Sequence, residues 1–193
     1  MILAVKALRF LYRLATKKSD QDRLLLLVII SKRLCPFYRF KWPHMSWWKN
    51  SFLNRLLDKY DEKDGLNCDR RWMILQLSRL SFSVEGDTVE CGSYHGLGSE
   101  IIASSRELFG RTESYHHIFD SFEGLSQPEE GASYWTKGDL AVPEIVVKSN
   151  LDGFKVKYYK GWIPDRFVEV EDRVFSFVHV DVDLEEPTLS SVE

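Results

Sequence analysis

The hydrophobic and polar positions in the second half of the chain alternate between short apolar runs and polar breaks, which predicts short strands separated by turns and helices. Within Thr88–Glu100 an apolar run ends in an acid and is followed by three glycines and an apolar, helix-like segment. Later runs predict further strands at 117–120, 155–160 and 174–180. The run at 155–160 alternates only weakly, as expected for a strand covered on both faces. The pattern predicts an α/β fold with a parallel sheet.

The glycine turn predicts a ligand crevice. Gly92, Gly96 and Gly98 follow the first strand, and a strand, a turn and a helix start in that order leave backbone N–H groups facing a crevice. The spacing is not the G-x-G-x-x-G of dinucleotide folds, and the Lys-Ser/Thr that ends a P-loop is missing. Glu90 would repel a pyrophosphate but attract the ammonium and sulfonium charges of S-adenosylmethionine. The charge favours a methyl donor, although a plain tight turn also fits these residues.

Acids follow two further strands. Asp120 ends the second strand 22 residues after Gly98, close to the distance of about 20 residues at which an acid reaches the ribose of an adenosine cofactor. Asp181 and Asp183 follow the fourth strand. Because parallel strands end side by side, we expect a crevice lined by acceptors at this edge. A dehydrogenase-like fold, with Asp120 on the ribose of NAD, is the alternative that Glu90 and the glycine spacing disfavour.

Four segments of the chain carry a resemblance to a known family. They are V-E-G-D-T-V-E-C-G at 84–92, F-D-S-F-E-G-L at 119–125, K-G-W-I-P-D-R-F at 160–167 and F-V-H-V-D-V-D-L-x-x-P-T-L at 177–189. Together they resemble the macrocin and mycinamicin O-methyltransferase (TylF/MycF) family over roughly residues 69–192. The resemblance implies a Rossmann-like class I methyltransferase sheet and S-adenosylmethionine as donor. It also implies a divalent ion, usually magnesium, and a hydroxyl acceptor on a sugar, glycan or similar small molecule.

The resemblance also implies roles for single residues. Asp181 would be the metal ligand that also assists deprotonation of the acceptor, and Asp120 would hold the ribose. An alcohol is a poor nucleophile, so transfer to oxygen needs its proton removed or its developing charge held by a cation. Asp183 could instead cap a helix that begins at Pro187. The candidate donor-binding residues are Glu90, Gly92, Tyr94, Gly96, Gly98, Ser99, Asp120, Ser121, Phe122, Gly161 and Trp162.

Two differences from the family leave a second function open. Family members have Tyr where Glu185 stands, and they continue beyond the position of Glu193 with further strands and an Asp-Asp pair. We expect only the first four strands of the sheet in these residues. The alternative to an active O-methyltransferase is a non-catalytic remnant that keeps donor binding or acts only as an interaction module.

Charge divides the chain into two predicted regions. Residues 1–60 carry 13 Lys and Arg against three acids, although the whole chain has a net charge of −3. We predict a basic, aromatic-rich helical extension at 1–67 and an incomplete donor-binding core at 68–193. Basic residues at helical spacing within 1–18 predict an amphipathic helix. It could contact a membrane surface, but packing on the catalytic domain or on a second copy in a homo-oligomer is the simpler expectation.

Several other partner classes are disfavoured. Aromatic rings crowd the basic stretch at 36–52, but no RNA-binding signature accompanies them, so we expect a lid or acceptor wall and no nucleic-acid partner. Three cysteines are too few and too scattered for a disulfide framework or a zinc site. Charges interrupt any signal-peptide apolar region. A reducing, cytoplasmic setting follows from these features.

The remaining ionisable residues are assigned structural roles. His116 and His117 begin the second strand, away from the ligand edge, and His179 lies within the fourth. We expect all three to be packed rather than catalytic. Cys91 is expected in the glycine turn as a small filler. Arg71 is expected on the surface of the helix that leads into the first strand.

Overall fold

The computed structural model describes most of the predicted core. The described residues are 26–27, 29–31, 33–34, 49–63, 67–128 and 135–192. The predicted amphipathic helix at 1–18 and most of the aromatic stretch at 36–52 lie outside them. Among the described residues, no helix is both long enough and apolar enough to cross a membrane.

A parallel sheet of four strands forms the centre of the fold. The strands are β1 (Asp87–Cys91), β2 (His116–Asp120), β3 (Val156–Lys160) and β4 (Phe175–Val180). Their order in the sheet is β3-β2-β1-β4, and every neighbouring pair is parallel. The predicted α/β fold with four strands is confirmed. Cys91 is the last residue of β1 and not part of the turn, which corrects its predicted place.

Five α-helices and two 3-10 helices connect the strands. The α-helices are α1 (Ser51–Lys59), α2 (Cys68–Leu80), α3 (Leu97–Leu108), α4 (Glu144–Asn150) and α5 (Glu185–Ser190). The 3-10 helices are Ser81–Ser83 and Phe167–Val170. α1 starts where the Asn50 side chain accepts a hydrogen bond from Leu53 N at 2.8 Å, an N-cap that satisfies one of the free donors of the first turn. These counts cover only the described ranges for which an element is assigned.

Apolar side chains from α1, α2 and α3 form one buried cluster on one side of the sheet. Leu53 and Leu57 of α1 pack with Ile74 of α2 and with Ile101 and Ile102 of α3. Full burial of an aliphatic side chain of this kind stabilises the fold by about 1.5–3 kcal/mol. The last part of the predicted N-terminal extension is therefore packed on the helices that cover β1.

The opposite face of the sheet carries an aromatic cluster. The rings of Phe119 and Tyr159 are stacked with their centroids 4.5 Å apart, and Phe167 meets Phe119 edge-on at 5.0 Å. Val89 and Cys91 pack in the same cluster. Alternate residues of β1 thus face opposite sides, which leaves Thr88 and Glu90 directed towards α3.

The strand order places the ends of β1, β2 and β4 together. The chain moves from β1 to β2 and β3 on one side, then crosses to add β4 on the other side of β1. Ligands of open α/β sheets bind at such a reversal of strand order, beyond the carboxyl ends of the strands. Backbone bonds tie these ends together, from Asp181 N to Cys91 O at 2.9 Å and from Gly92 N to Phe119 O at 2.9 Å. This edge is where a functional site is expected.

Candidate functional site

Two adjoining cavities lie at the carboxyl edge of the sheet. One, of about 240 Å³, is lined mainly by apolar groups from the ends of β2, β3 and β4. The other, of about 360 Å³, is lined by more polar groups from α2 and the glycine turn. The residues common to both are Gly92, Tyr94, Leu140, Asp181 and Asp183. We call the two cavities together the crevice, with an apolar half and a polar half.

Glu90 of β1 lies in the polar half and is held by two partners. Its side chain is almost fully buried, at 2% exposure, and Ser99 Oγ of α3 donates a hydrogen bond to Oε2. Its Oε1 lies 2.8 Å from His179 Nδ1, because Glu90 and His179 are direct neighbours in the register of β1 and β4. A buried carboxylate needs such partners, since burial of an unpaired charge is costly.

His179 is therefore a partner of the candidate donor residue and not a simple packing residue. Burial alone would lower the pKa of His179. The hydrogen bond to Glu90, with the charges of Glu90 and Asp181, outweighs burial and raises this pKa above its ordinary value. The pairing was not predicted from the sequence, because nothing in the local pattern says which strand lies beside β1.

The glycine turn is shaped by the protein groups that approach it. Gly92 has φ +83°, and a Cβ at this position would overlap the backbone oxygen of Asp181. A Cβ on Gly98 would overlap Glu90 Oε1. These two glycines thus allow β4 and the Glu90 carboxylate to come close to the start of α3. Gly96 is the N-cap residue of α3 and does not line the crevice in the described structure.

Asp120 ends β2 and links its end to the glycine turn. Its Oδ2 accepts hydrogen bonds from Ser93 N at 2.7 Å and from Ser93 Oγ at 2.8 Å, and its Oδ1 accepts one from Phe122 N at 2.8 Å. An ionised carboxylate offers about four acceptor positions, so a position remains for a ligand. The carboxylate lines the apolar half of the crevice, where a ribose ligand was predicted.

The other predicted donor residues divide into two groups. Ser121, Gly161 and Trp162 line the apolar half of the crevice, and Trp162 is 40% exposed. Ser99 and Phe122 line neither half. Ser99 is fully buried against Glu90, and Phe122 packs in a separate apolar cluster around Ile118, Val142 and Val147. The structure therefore places these two beneath the crevice surface.

Asp181 follows β4 and has a cation beside it. Its side chain is 33% exposed, and its Oδ2 lies 3.9 Å from Arg71 Nη1. Arg71 also donates to both carboxylate oxygens of Glu62, at 2.9 and 3.0 Å. Burial opposes the charge of Arg71, but the hydrogen bonds and charge of Glu62, with the charges of Glu90 and Asp181, raise its pKa. Arg71 lines the crevice with only 13% of its side chain exposed, which corrects its predicted place on the helix surface.

Asp183 lies at the junction of the two halves. Partial burial and the charge of Asp181 raise the pKa of Asp183. α5 begins at Glu185 after the N-cap residue Leu184, which makes no side-chain capping bond. The interpretation of Asp183 as the cap of a helix beginning at Pro187 is therefore wrong.

The described residues do not fit the magnesium site that the resemblance implies. Among them, no group of three or more His, Cys, Asp and Glu side chains could hold a metal ion. The guanidinium of Arg71 already provides a positive charge next to Asp181, where a cation would sit. The chemistry below is derived from the side chains alone.

Unusual backbone conformations concentrate around the crevice. Tyr94, Leu140 and Asp183 all line it and have positive φ angles of 48°, 63° and 60°. Such conformations are strained for residues other than glycine, cost of the order of 1–3 kcal/mol each and tend to occur at functional sites. This distribution supports the crevice as the functional site independently of its charges.

Comparison with known proteins identifies relatives that share this fold. The family model of macrocin-O-methyltransferase (TylF) matches residues 78–193. A 4'-O-methyltransferase from Streptomyces olivaceus, named for 8-demethyl-8-(2,3-dimethoxy-alpha-L-rhamnosyl)-tetracenomycin-C, is 29% identical over 129 residues. That match covers 59% of this chain and 49% of the relative, so the chain spans about half the length of the relative.

Two solved structures share the fold at low sequence identity. The O-methyltransferase NovP is 22% identical, with a TM-score of 0.55 over 67% of this chain and 59% of its own. CalS11, a calicheamicin methyltransferase, is 18% identical, with a TM-score of 0.55 over 73% of this chain and 68% of its own. The predicted methyltransferase fold is confirmed, and the match to the family model covers more than half of the chain. The chain therefore belongs to the macrocin O-methyltransferase (TylF) family.

Proposed function

We propose that this chain binds S-adenosylmethionine in the crevice and transfers its methyl group to a hydroxyl of a sugar or glycan-like acceptor. One observation carries the proposal: Glu90, Asp120 and Asp181, which follow or end three different strands, line one crevice. Acceptor groups from three strands converge there although the residues are far apart in sequence. Membership of a methyltransferase family supports this assignment.

The donor fits the crevice in one orientation. Its adenosine belongs in the apolar half, where Asp120 can accept from the ribose hydroxyls and the Trp162 ring can contact the base. Its amino acid belongs in the polar half, where Glu90 can attract the ammonium group. The sulfonium then lies at the junction of the halves, near Asp181. The bound donor supplies an electrophilic methyl group.

Asp181 is positioned to act as the general base. Its carboxylate lies at the junction of the two halves, 3.9 Å from Arg71, which helps to orient it. Asp181 accepts the proton of the acceptor hydroxyl while the new O–C bond forms and the C–S bond breaks. The electron pair of the broken bond stays on sulfur, so the second product is S-adenosylhomocysteine. General bases of this kind contribute about 10²–10⁴-fold to rate.

The acceptor class is inferred from the names of the relatives. The Streptomyces olivaceus relative is named as a 4'-O-methyltransferase of a rhamnosyl-bearing tetracenomycin. We propose a sugar hydroxyl for this chain on that basis. A panel of simple glycosides, with methyl α-L-rhamnoside as the first probe, tests this class by formation of S-adenosylhomocysteine. Assays with added magnesium and with a chelator test the remaining role of a divalent ion.

Titration calorimetry with S-adenosylmethionine and S-adenosylhomocysteine tests donor binding directly. We expect both to bind the wild-type chain, and NADH not to displace them. Binding without methyl transfer to any glycoside would support the non-catalytic remnant. Failure of both ligands to bind would overturn the proposal, and displacement by NADH alone would favour the dehydrogenase-like alternative.

Two matched variants test the orientation of the donor. In Glu90→Gln the side chain keeps its shape and loses its charge, so the preference for the charged donor over the neutral product should fall about tenfold. In Asp120→Asn both ligands should lose affinity equally, because their ribose groups are the same. An equal loss in Glu90→Gln would place Glu90 away from the charged end of the donor.

A further inference from the structure

A second polar cluster contacts the glycine turn from the side away from the crevice. Lys59, the last residue of α1, places its Nζ 2.5 Å from Glu100 Oε2 and donates to the backbone oxygen of Asn150 at 2.8 Å. Tyr60 Oη donates to the same Glu100 oxygen at 2.6 Å. Asn150 in turn donates from Nδ2 to the backbone oxygen of His95 at 2.9 Å. We call Lys59, Tyr60, Glu100 and Asn150 the α1 clamp.

The α1 clamp holds both sides of the glycine turn. His95 belongs to the turn between β1 and α3, and Glu100 lies in the first turn of α3. Ser99, the residue before Glu100, donates the hydrogen bond that holds Glu90. A shift of the first turn of α3 would therefore move the partner of Glu90 as well as the backbone of the turn.

Burial makes the contacts of Glu100 demanding. Glu100 is only 6% exposed, and a buried carboxylate without a cationic partner is strongly destabilised. Burial and the hydrogen bond to Glu100 also raise the pKa of Tyr60, which keeps its hydroxyl proton available to donate. Lys59 and Tyr60 thus provide the charge and the second donor that Glu100 requires at this place.

We propose that Lys59 and Tyr60 are positioning residues that hold the glycine turn in its donor-binding geometry from α1. Both lie outside residues 78–193, which match the family model, so the clamp adds a contribution of the preceding region to the donor site. The inference rests on the proposed function only for its effect on donor affinity. The order of the turn itself is a property of the protein without ligand.

Hydrogen exchange of the turn tests the proposal without any ligand. In Lys59→Met we expect the amides of residues 93–98 to exchange about tenfold faster, with β2 and β3 unchanged, because the turn loses its anchor on α1. Lys63→Met is the matched control, since Lys63 forms an exposed ion pair with Asp58 at 2.8 Å. Unchanged exchange in Lys59→Met, or equally fast exchange in Lys63→Met, would overturn the proposal.

Donor affinity provides the functional measurement. Lys59→Met should weaken binding of S-adenosylhomocysteine about five- to tenfold, while turnover at saturating donor changes less than twofold. Tyr60→Phe, which removes only one hydrogen bond, should show a smaller loss and guards against a Lys59 variant that does not fold. Lys59→Arg should restore most of the affinity, because it restores the cation beside Glu100.

A double-mutant cycle separates the clamp from general destabilisation. In a Glu100→Gln background, Lys59→Met should cause little further loss of affinity, because the charge that Lys59 neutralises is gone. Additive losses would contradict a clamp that acts through Glu100. If the wild-type chain binds no S-adenosylhomocysteine, the proposed function fails, and the exchange experiment still decides whether the clamp exists.

Discussion

The two edges of the sheet both bury ionisable side chains, but they use them differently. At the amino edge, His117 lies between Asp87 at 2.9 Å and Tyr159 at 2.8 Å. Arg106 donates to Ser114 Oγ, Ser176 Oγ and Gly86 O at 2.6, 2.9 and 2.7 Å. These groups satisfy each other. At the carboxyl edge, the carboxylates keep a surface that faces the crevice.

The difference teaches that burial and perturbed titration do not by themselves locate a functional site. Burial lowers the pKa of His116 at the amino edge to about 3, although the residue simply packs there and contacts Thr88 Oγ1 at 2.9 Å. The functional edge is distinguished by polar groups that converge on an open volume. If this comparison holds, variants at the carboxyl edge should change function, and variants at the amino edge should change stability.

Asp181→Asn should have the largest effect. We expect methyl transfer to fall at least about 100-fold because the general base is lost, while calorimetry should find donor affinity within about twofold of wild type. Asp152→Asn is the control, an exposed acid between α4 and β3. Activity that survives in Asp181→Asn would remove Asp181 from the mechanism.

Arg106→Met should be the most damaging change at the amino edge. It removes three hydrogen bonds from a side chain that is 5% exposed, and we expect the free energy of unfolding to fall by about 3 kcal/mol. Denaturant titration measures this loss, with the exposed Arg173→Met as control. The binding constant for S-adenosylhomocysteine should stay the same in folded protein, and a selective loss of donor affinity would break the comparison.

The pH dependence of stability should reveal His116. Because the folded-state pKa is far below the ordinary value of 6.5, the unfolded chain takes up a proton below pH 6.5 that the folded chain refuses. The free energy of unfolding should therefore be fully present above pH 6.5 and fall with decreasing pH, by up to about 1.4 kcal/mol per pH unit from this group. His116→Asn should remove that part of the slope between pH 6.5 and 5, and an unchanged slope would show that His116 does not stay neutral.

Trp162→Ala should have the smallest effect. Loss of an aromatic contact with the adenine should weaken donor binding by about 1 kcal/mol, or about fivefold. Tyr115→Ala is a suitable control, because Tyr115 is 38% exposed and packs against Lys157 at the amino edge. Equal affinities for both variants would place the adenine elsewhere.

Local pattern was enough to predict the sheet and the acids that end its strands. Apolar runs and glycines mark β1 and β2, and both Asp120 and Asp181 lie at the predicted edge of the fold. The contacts that hold these residues were not predictable in the same way. His179 meets Glu90 only because β4 is added beside β1, and Arg71 reaches the crevice only because α2 packs across α3. Such pairings depend on tertiary arrangement, which no single segment encodes.

The central place of β1 has a consequence for how the protein is made. Glu90 must find His179, 89 residues later, before the pocket can exist, so a nascent chain on the ribosome has no binding site until β4 has emerged. Pairing over such long sequence separations also slows folding. Newly synthesised chains should therefore pass through a stage in which β1 and β2 can already associate while one side of β1 is still bare and able to aggregate.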